Sequence, residues 1–245
     1  MVARKWLSNN AEVMEAIPLD KRAGNVEIKD SSSLPTSKTL GIVWDANTDM
    51  LRLKINIPKS VCGTKREFFR VVSSVFDPLG QVSPMLILAK VMMQELWIKK
   101  VEWGEKLEGK DEEKITKWLG ELKGIENIQV PRCMAPDGSN ITNKQLHIFV
   151  DASETAMAAV TYLRTVNRDD QVAVSFVCSK TKIAPINAIS IPRLELLAAE
   201  IGAVLGRILS SCLGVDGESR LLWTDSNDVL GWIRNRRRML AICCP

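Results

Sequence analysis

Three acids in this chain sit where acids do chemistry. Asp151 closes the run His147-Ile-Phe-Val-Asp151, Glu195 lies one turn into Ile191-Pro-Arg-Leu-Glu195, and Asp225 closes Leu221-Leu-Trp-Thr-Asp225. Two of these acids end strand-like runs and the third opens a helix. In a mixed sheet flanked by helices, the ends of adjacent strands and the start of the covering helix can converge on one cleft. Carboxylates crowded together raise one another's pKa unless cations neutralise them. Hard oxygen donors of this kind suit Mg²⁺ or Mn²⁺. Two such ions about 4 Å apart would stabilise both the attacking and the leaving oxygen of phosphodiester cleavage. Singly, each acid is expected to be solvated at the surface; the joint placement is what points to metal.

Other chemically capable residues carry less. Glu154, Glu200 and Asp228 lie near the three acids in sequence. Glu200 is turned off the face of Glu195, since neighbours on a helix are three or four apart. His147 shares strand parity with Asp151 and reads as a packed strand residue. Arg234, Arg236, Arg237 and Arg238 form the densest basic run. It is either a solvated helix end or a contact to a phosphate backbone. The seven tryptophans fall at element edges and read as packing anchors rather than platforms for bases. Gly104 to Lys110 has phosphate-loop spacing by chance: Asp111 replaces the Ser or Thr and no strand precedes it.

The elements that must position the acids can be read from pattern. Gln145–Asp151, Thr155–Arg164 and Val172–Cys178 read as three closely spaced strands, expected to pair antiparallel. A helix from Pro192 to about Leu209 then leads to a strand at Arg220–Thr224, which should return parallel, and to a helix at Ser226–Arg234. Upstream, Leu40–Trp44 and the alternating Leu51, Leu53, Ile55 and Ile57 read as a hairpin about Asp45–Asp49, after a loop over residues 20–39. Thr64-Lys-Arg-Glu67 is a capping box opening a helix to about Phe76. Ser83-Pro84 is expected as N-cap and first turn of a second helix, reaching about Lys100. A third should start at Asp111 and contain Ile115, Trp118, Leu119 and Leu122. Gly, Pro, Asp and Asn over 126–144 read as a linker, separating residues 1–125 from 145–245.

Length and composition frame this reading. At 245 residues with 46% hydrophobic and 25% charged, the chain has the make-up of one large or two small folded domains. No uninterrupted apolar stretch approaches the roughly 18 residues of a spanning helix, so no membrane partner is expected, and no signal peptide is read at Met1. The net charge of +4 permits a nucleic-acid partner without demanding one. Six cysteines without a C-x-x-C pair, and one histidine, argue against a zinc site and fit reduced thiols in an intracellular setting, cytoplasm or nucleus.

The Asp, Glu, Asp pattern on this strand and helix order resembles ribonuclease H. More narrowly, His147-Ile-Phe-Val-Asp-Ala-Ser153, Pro192-Arg-Leu-Glu-Leu-Leu197 and Trp223-Thr-Asp-Ser226 resemble the ribonuclease H region of BEL/Pao retrotransposon polyproteins, the Pao retrotransposon peptidase family. Arg4–Asn9, Leu40–Trp44, Thr64–Glu67 and Phe76–Gly80 resemble the segment that follows the reverse-transcriptase palm in those polyproteins. The resemblance implies an α+β fold: a hairpin-plus-helices thumb/connection region over 1–125, then a ribonuclease H-like mixed sheet flanked by helices over 145–245, C-terminally incomplete. It implies Asp151, Glu195 and Asp225 as catalytic metal ligands for a two-metal Mg²⁺ or Mn²⁺ site. The partner it implies is an RNA/DNA hybrid whose RNA strand is cleaved, or other nucleic acid, with the remaining Pol segments as companions. On the phosphate-backbone reading of the basic run, Arg234, Arg236, Arg237 and Arg238 contact that nucleic acid. The alternative is a catalytically inactive nucleic-acid-binding or structural remnant. No Tyr-x-Asp-Asp polymerase pair occurs, Asp169-Asp170 matching only by letter inside a turn. No Asp-Thr-Gly or Asp-Ser-Gly occurs either, so neither polymerisation nor proteolysis is expected of this segment.

Overall fold

The structure, a computed structural model, describes residues 5–23, 36–39, 41–55, 63–136 and 138–235. They fall into two compact units, one of Met1–Met85 with Lys99–Met134 and one of Leu86–Ile98 with Ala135–Pro245.

The first unit carries helix α1 (Ala11–Ala16) and an antiparallel sheet of four strands in chain order: β1 (Thr36–Thr39), β2 (Ile42–Asp45), β3 (Met50–Leu53) and β4 (Gln129–Pro131). The hairpin read from the alternation is β2–β3, paired from Ile42↔Leu53 to Asp45↔Met50. Ile57 lies outside the described residues. β1 falls in the segment expected as a loop. Its sequence Thr-Ser-Lys-Thr has no apolar alternation to reveal it, and it is a strand because β2 offers it an edge. The segment 126–144, read as a linker, contains β4 and the start of a long strand of the second unit.

Asp49 ties this sheet together from a left-handed backbone position, φ 55°. Its carboxylate accepts from Trp44 Nε1 at 2.9 Å and from Arg132 Nε at 2.6 Å, while the Arg132 guanidinium lies 4.8 Å from the Trp44 ring centroid. The Arg132 hydrogen bonds hold the Asp49 carboxyl below the usual carboxylate range; burial opposes them and Trp44 adds to them.

Helix α2 (Lys65–Ser74) opens on the expected capping box, with Glu67 N–H donating to Thr64 and Thr64 N–H donating to Glu67. Helix α3 spans Ser83–Ile98, so Ser83 is its first helical residue rather than its cap. Just upstream, the Asp77 carboxylate accepts from the Gln81 and Val82 N–H groups. Helix α4 (Gly109–Leu122) buries the four expected residues, Ile115, Trp118, Leu119 and Leu122. Trp118 meets Phe68 edge-on at 5.6 Å and donates its indole N–H to the Met85 carbonyl. That is the anchoring role expected of a tryptophan.

The second unit is a mixed sheet in the order β7-β6-β5-β8. Strands β5 (Ile141–Ala152), β6 (Ala156–Asn167) and β7 (Val172–Ile183) form an antiparallel meander. Helix α5 (Ile191–Leu213) crosses to β8 (Arg220–Trp223), which pairs parallel with β5, and α6 (Asn227–Arg234) follows. The parallel return and the meander are those read from the strand spacing. Tight turns explain why the meander closes. Ser153 Oγ accepts from Thr155 and Ala156 N–H, and Asn167 Oδ1 accepts from Asp169 and Gln171 N–H. Asp169-Asp170 therefore belongs to a hairpin turn.

Leu146, Ile148 and Val150 of β5 and Met157, Ala159, Thr161 and Leu163 of β6 alternate inward and are buried. Along α5, Gly202 and Gly206 face them. A Cβ on Gly202 would overlap Val150, and one on Gly206 would overlap Ile148. The helix runs to Leu213, a turn beyond the expected end, and stops at Gly214, whose left-handed φ of 62° ends it with an N–H to the Ser210 carbonyl. By length and composition alone α5 is apolar enough to cross a membrane; here its small-residue face lies against β5.

Candidate metal centre

β5 and β8 run parallel with Phe149 opposite Trp223. Two residues further on each strand's path come Asp151 and Asp225, so the pairing that registers the strands also sets these acids side by side. Glu195 enters from the first turns of α5, on the stripe that continues through Ala198, Ala199, Gly202 and Gly206, all buried. The small residues let the helix approach the sheet, and that approach carries Glu195 to the strand ends. One oxygen from each of Asp151, Glu195 and Asp225 lies within 4.8 Å of the others.

The three differ in surroundings. Asp151 and Asp225 are exposed, while Glu195 is buried. Glu195 Oε2 is buried and has no hydrogen-bond donor. Burial pushes the Glu195 carboxyl up, the Asp151 and Asp225 charges push it further, and the Ala152 N–H pulls the other way. Asp151 spends one oxygen on the Ala152 N–H at 2.7 Å. A buried, unpartnered carboxylate oxygen facing two more carboxylates is costly without a cation. With a divalent ion the same all-oxygen donor set is well matched.

The chain that leads out of the site is capped. Thr224 Oγ1 accepts from Ser226 N–H, and Ser226 Oγ accepts from Val229 N–H as the N-cap of α6. Asp225 is thus held between a strand end and a helix start.

Other candidates separate from the trio. Glu154, Glu200 and Asp228 are exposed. Glu200 lines a different feature, an apolar groove of about 390 Å³ floored by Ile201 and Val204, with Lys180 and Lys182 beside it. His147 is half-buried and accepts at Nδ1 from Trp223 Nε1 at 3.1 Å. Arg234 is exposed in the last turn of α6, at the opposite end of that helix from Asp225. Arg236, Arg237 and Arg238 lie outside the described residues. The His147–Trp223 bond and the close approach of Gly202 and Gly206 escaped the sequence reading. The four-residue spacing of Gly202, Gly206 and Ser210 was the available signal for the second, and nothing local announced the first.

The family model for the Pao retrotransposon-like RNaseH-like domain matches residues 64–226. The chain belongs to this family. The match covers all three acids and, upstream of them, α2, α3 and α4. No curated protein matches the chain. Among solved structures, a foamy viral protease-reverse transcriptase in complex with dsDNA is similar at a TM-score of 0.39 and 10% identity, over 85% of this chain. This chain spans 41% of that chain's length.

Proposed function

We propose that this RNaseH-like domain binds Mg²⁺ or Mn²⁺ at Asp151, Glu195 and Asp225 and cleaves the RNA strand of an RNA/DNA hybrid. One observation carries the reading: three carboxylates from three elements meet within 4.8 Å, one of them buried with an oxygen that no donor satisfies. When bound, divalent ions at such a site neutralise the charge that develops on the attacking and leaving oxygens of a phosphodiester. The protein's own part is placement. Asp151 and Asp225 present exposed oxygens from neighbouring strand ends, and Glu195 adds a buried carboxylate from α5.

Arg234, together with Arg236 to Arg238, is assigned to the phosphate backbone of the nucleic acid, where each neutralised phosphate adds salt-dependent affinity. The whole reading belongs to an intracellular retroelement Pol product working with its other segments.

The test is hybrid cleavage by the full chain in Mg²⁺ or Mn²⁺. Cleavage that Asp151→Asn abolishes is the expected result. Equal cleavage by that variant would overturn the assignment, and salt-sensitive hybrid binding without cleavage in either protein would mark an inactive remnant.

A further inference from the structure

β8 is the weakest scaffold around the acids, and Asp225 depends on it. It has four residues and, among the described residues, lies at the edge of the sheet and pairs with β5 alone, from Leu146↔Arg220 to Phe149↔Trp223. Parallel pairing is the less stable kind per residue. A slip of one residue would turn Asp225 to the other face of the sheet, because side chains alternate. Something other than a short run of backbone hydrogen bonds must hold the register.

Side chains on the sheet face opposite α5 do so. The Trp223 ring stacks on His147 (6.0 Å between centroids, 9° between planes) and on Phe149 (6.0 Å, 13°). Phe149 is its register partner and His147 its diagonal neighbour, both within the reach of an aromatic ring across strands. The indole N–H then donates to His147 Nδ1. This bond is directional and joins residues 76 apart in the chain. Both contacts lie two residues before Asp225 on β8, and His147 and Phe149 precede Asp151 on β5 with the same parity.

We propose that Trp223 is the positioning residue for Asp225: its hydrogen bond to His147 and its stack against Phe149 fix the register of β8 and so hold Asp225 against Asp151 and Glu195. The role assigned to it is strand placement, through His147 and Phe149. The inference rests on the metal-site reading for its chemical consequence, but the placement itself is independent of any ion.

Two measurements on the full chain test it, Mn²⁺ affinity by titration calorimetry and backbone hydrogen exchange over residues 220–225. Trp223→Phe keeps a ring and loses the donor; His147→Phe keeps a ring and loses the acceptor; His147→Gln keeps an acceptor. The two Phe variants should bind Mn²⁺ about three- to tenfold more weakly, the scale of one hydrogen bond, and exchange faster over 220–225. His147→Gln should stay within about twofold of the parent in affinity, since its amide oxygen can still accept. A lower melting temperature with unchanged Mn²⁺ affinity and unchanged exchange in both Phe variants would overturn the proposal. If the parent chain binds no Mn²⁺, the metal reading fails, and exchange alone decides whether Trp223 sets the register.

Discussion

Val150 on β5 and Gly202 on α5 stand so close that a methyl group on the glycine would overlap the valine side chain. Gly206 meets Ile148 in the same way one turn later. The helix is therefore seated on the sheet by two missing side chains, on the stripe that begins with Glu195.

Gly202→Ala should lift α5 from β5. Overpacking of this kind costs about 1–3 kcal/mol, which over most of that range exceeds the roughly 1 kcal/mol that alanine returns in helix propensity. The expected outcome is a lower denaturation midpoint and weaker Mn²⁺ binding, because Glu195 moves with the helix. Gly120→Ala on α4, where a Cβ meets nothing within 4 Å, is the control and should be neutral or stabilising.

Glu195 gives the metal-free protein a pH dependence of definite sign. Its folded-state pKa lies above the ordinary 4.5, so between those two values the native state holds a proton that the unfolded chain has released. Stability should fall as pH rises from about 4.5 through the folded-state value and stay reduced above it. Glu195→Gln should remove that loss and raise metal-free stability at neutral pH while abolishing Mn²⁺ binding. Thermal melts at several pH values with and without Mn²⁺ check both; a metal-free variant no more stable than its parent at neutral pH would contradict the electrostatic account.

His147 should titrate below the ordinary 6.5, chiefly through burial and secondly through Arg164. It is the sequence's single histidine, so its NMR titration is unambiguous. Here the unfolded chain binds more protons, so this contribution to stability is lost as pH falls below about 6.5. Arg164→Gln should raise the His147 value only partway, because burial remains. A full return to 6.5 would show that charge, not burial, dominates.

In the first unit, Arg132→Ala should cost about 1 kcal/mol near neutral pH by removing a bidentate pair to Asp49 and a stack on Trp44. Asp49's depressed pKa adds stability present above about 3.8 and lost as pH falls through the folded-state value. The gap between variant and parent should therefore narrow in acid, as denaturant melts at pH 7 and pH 3 would show. Arg132→Lys should recover only part of it, since an ammonium cannot form the fork.

Much of this was legible because it rests on local chemistry. The Thr64–Glu67 box, the Ser226 cap, the alternation at Leu51 and Leu53, and the helical spacing of Ile115, Trp118 and Leu122 are short-range signals, and each marks an element that formed. The acids were legible because Asp151 and Asp225 end apolar runs and Glu195 follows a proline-led helix start. What escaped depends on partners distant in sequence. β1 and β4 carry no apolar pattern and exist because β2 and β3 offer edges. The indole of Trp223 finds His147 only when a parallel crossover has closed. Gly202 and Gly206 read as weak helix formers until the strand beneath them is known.

The parallel join of β5 to β8 also bears on how the chain folds. The meander β5–β6–β7 closes through tight turns and can form from neighbours, whereas Trp223 must find a partner 76 residues upstream. Such non-local contacts are costly in chain entropy and slow to form. On that order Asp151 and Glu195 would be in place on the meander and its helix before Asp225 arrives. Full Mn²⁺ affinity should appear only in the last refolding phase, making the ion a clock for completion of the sheet.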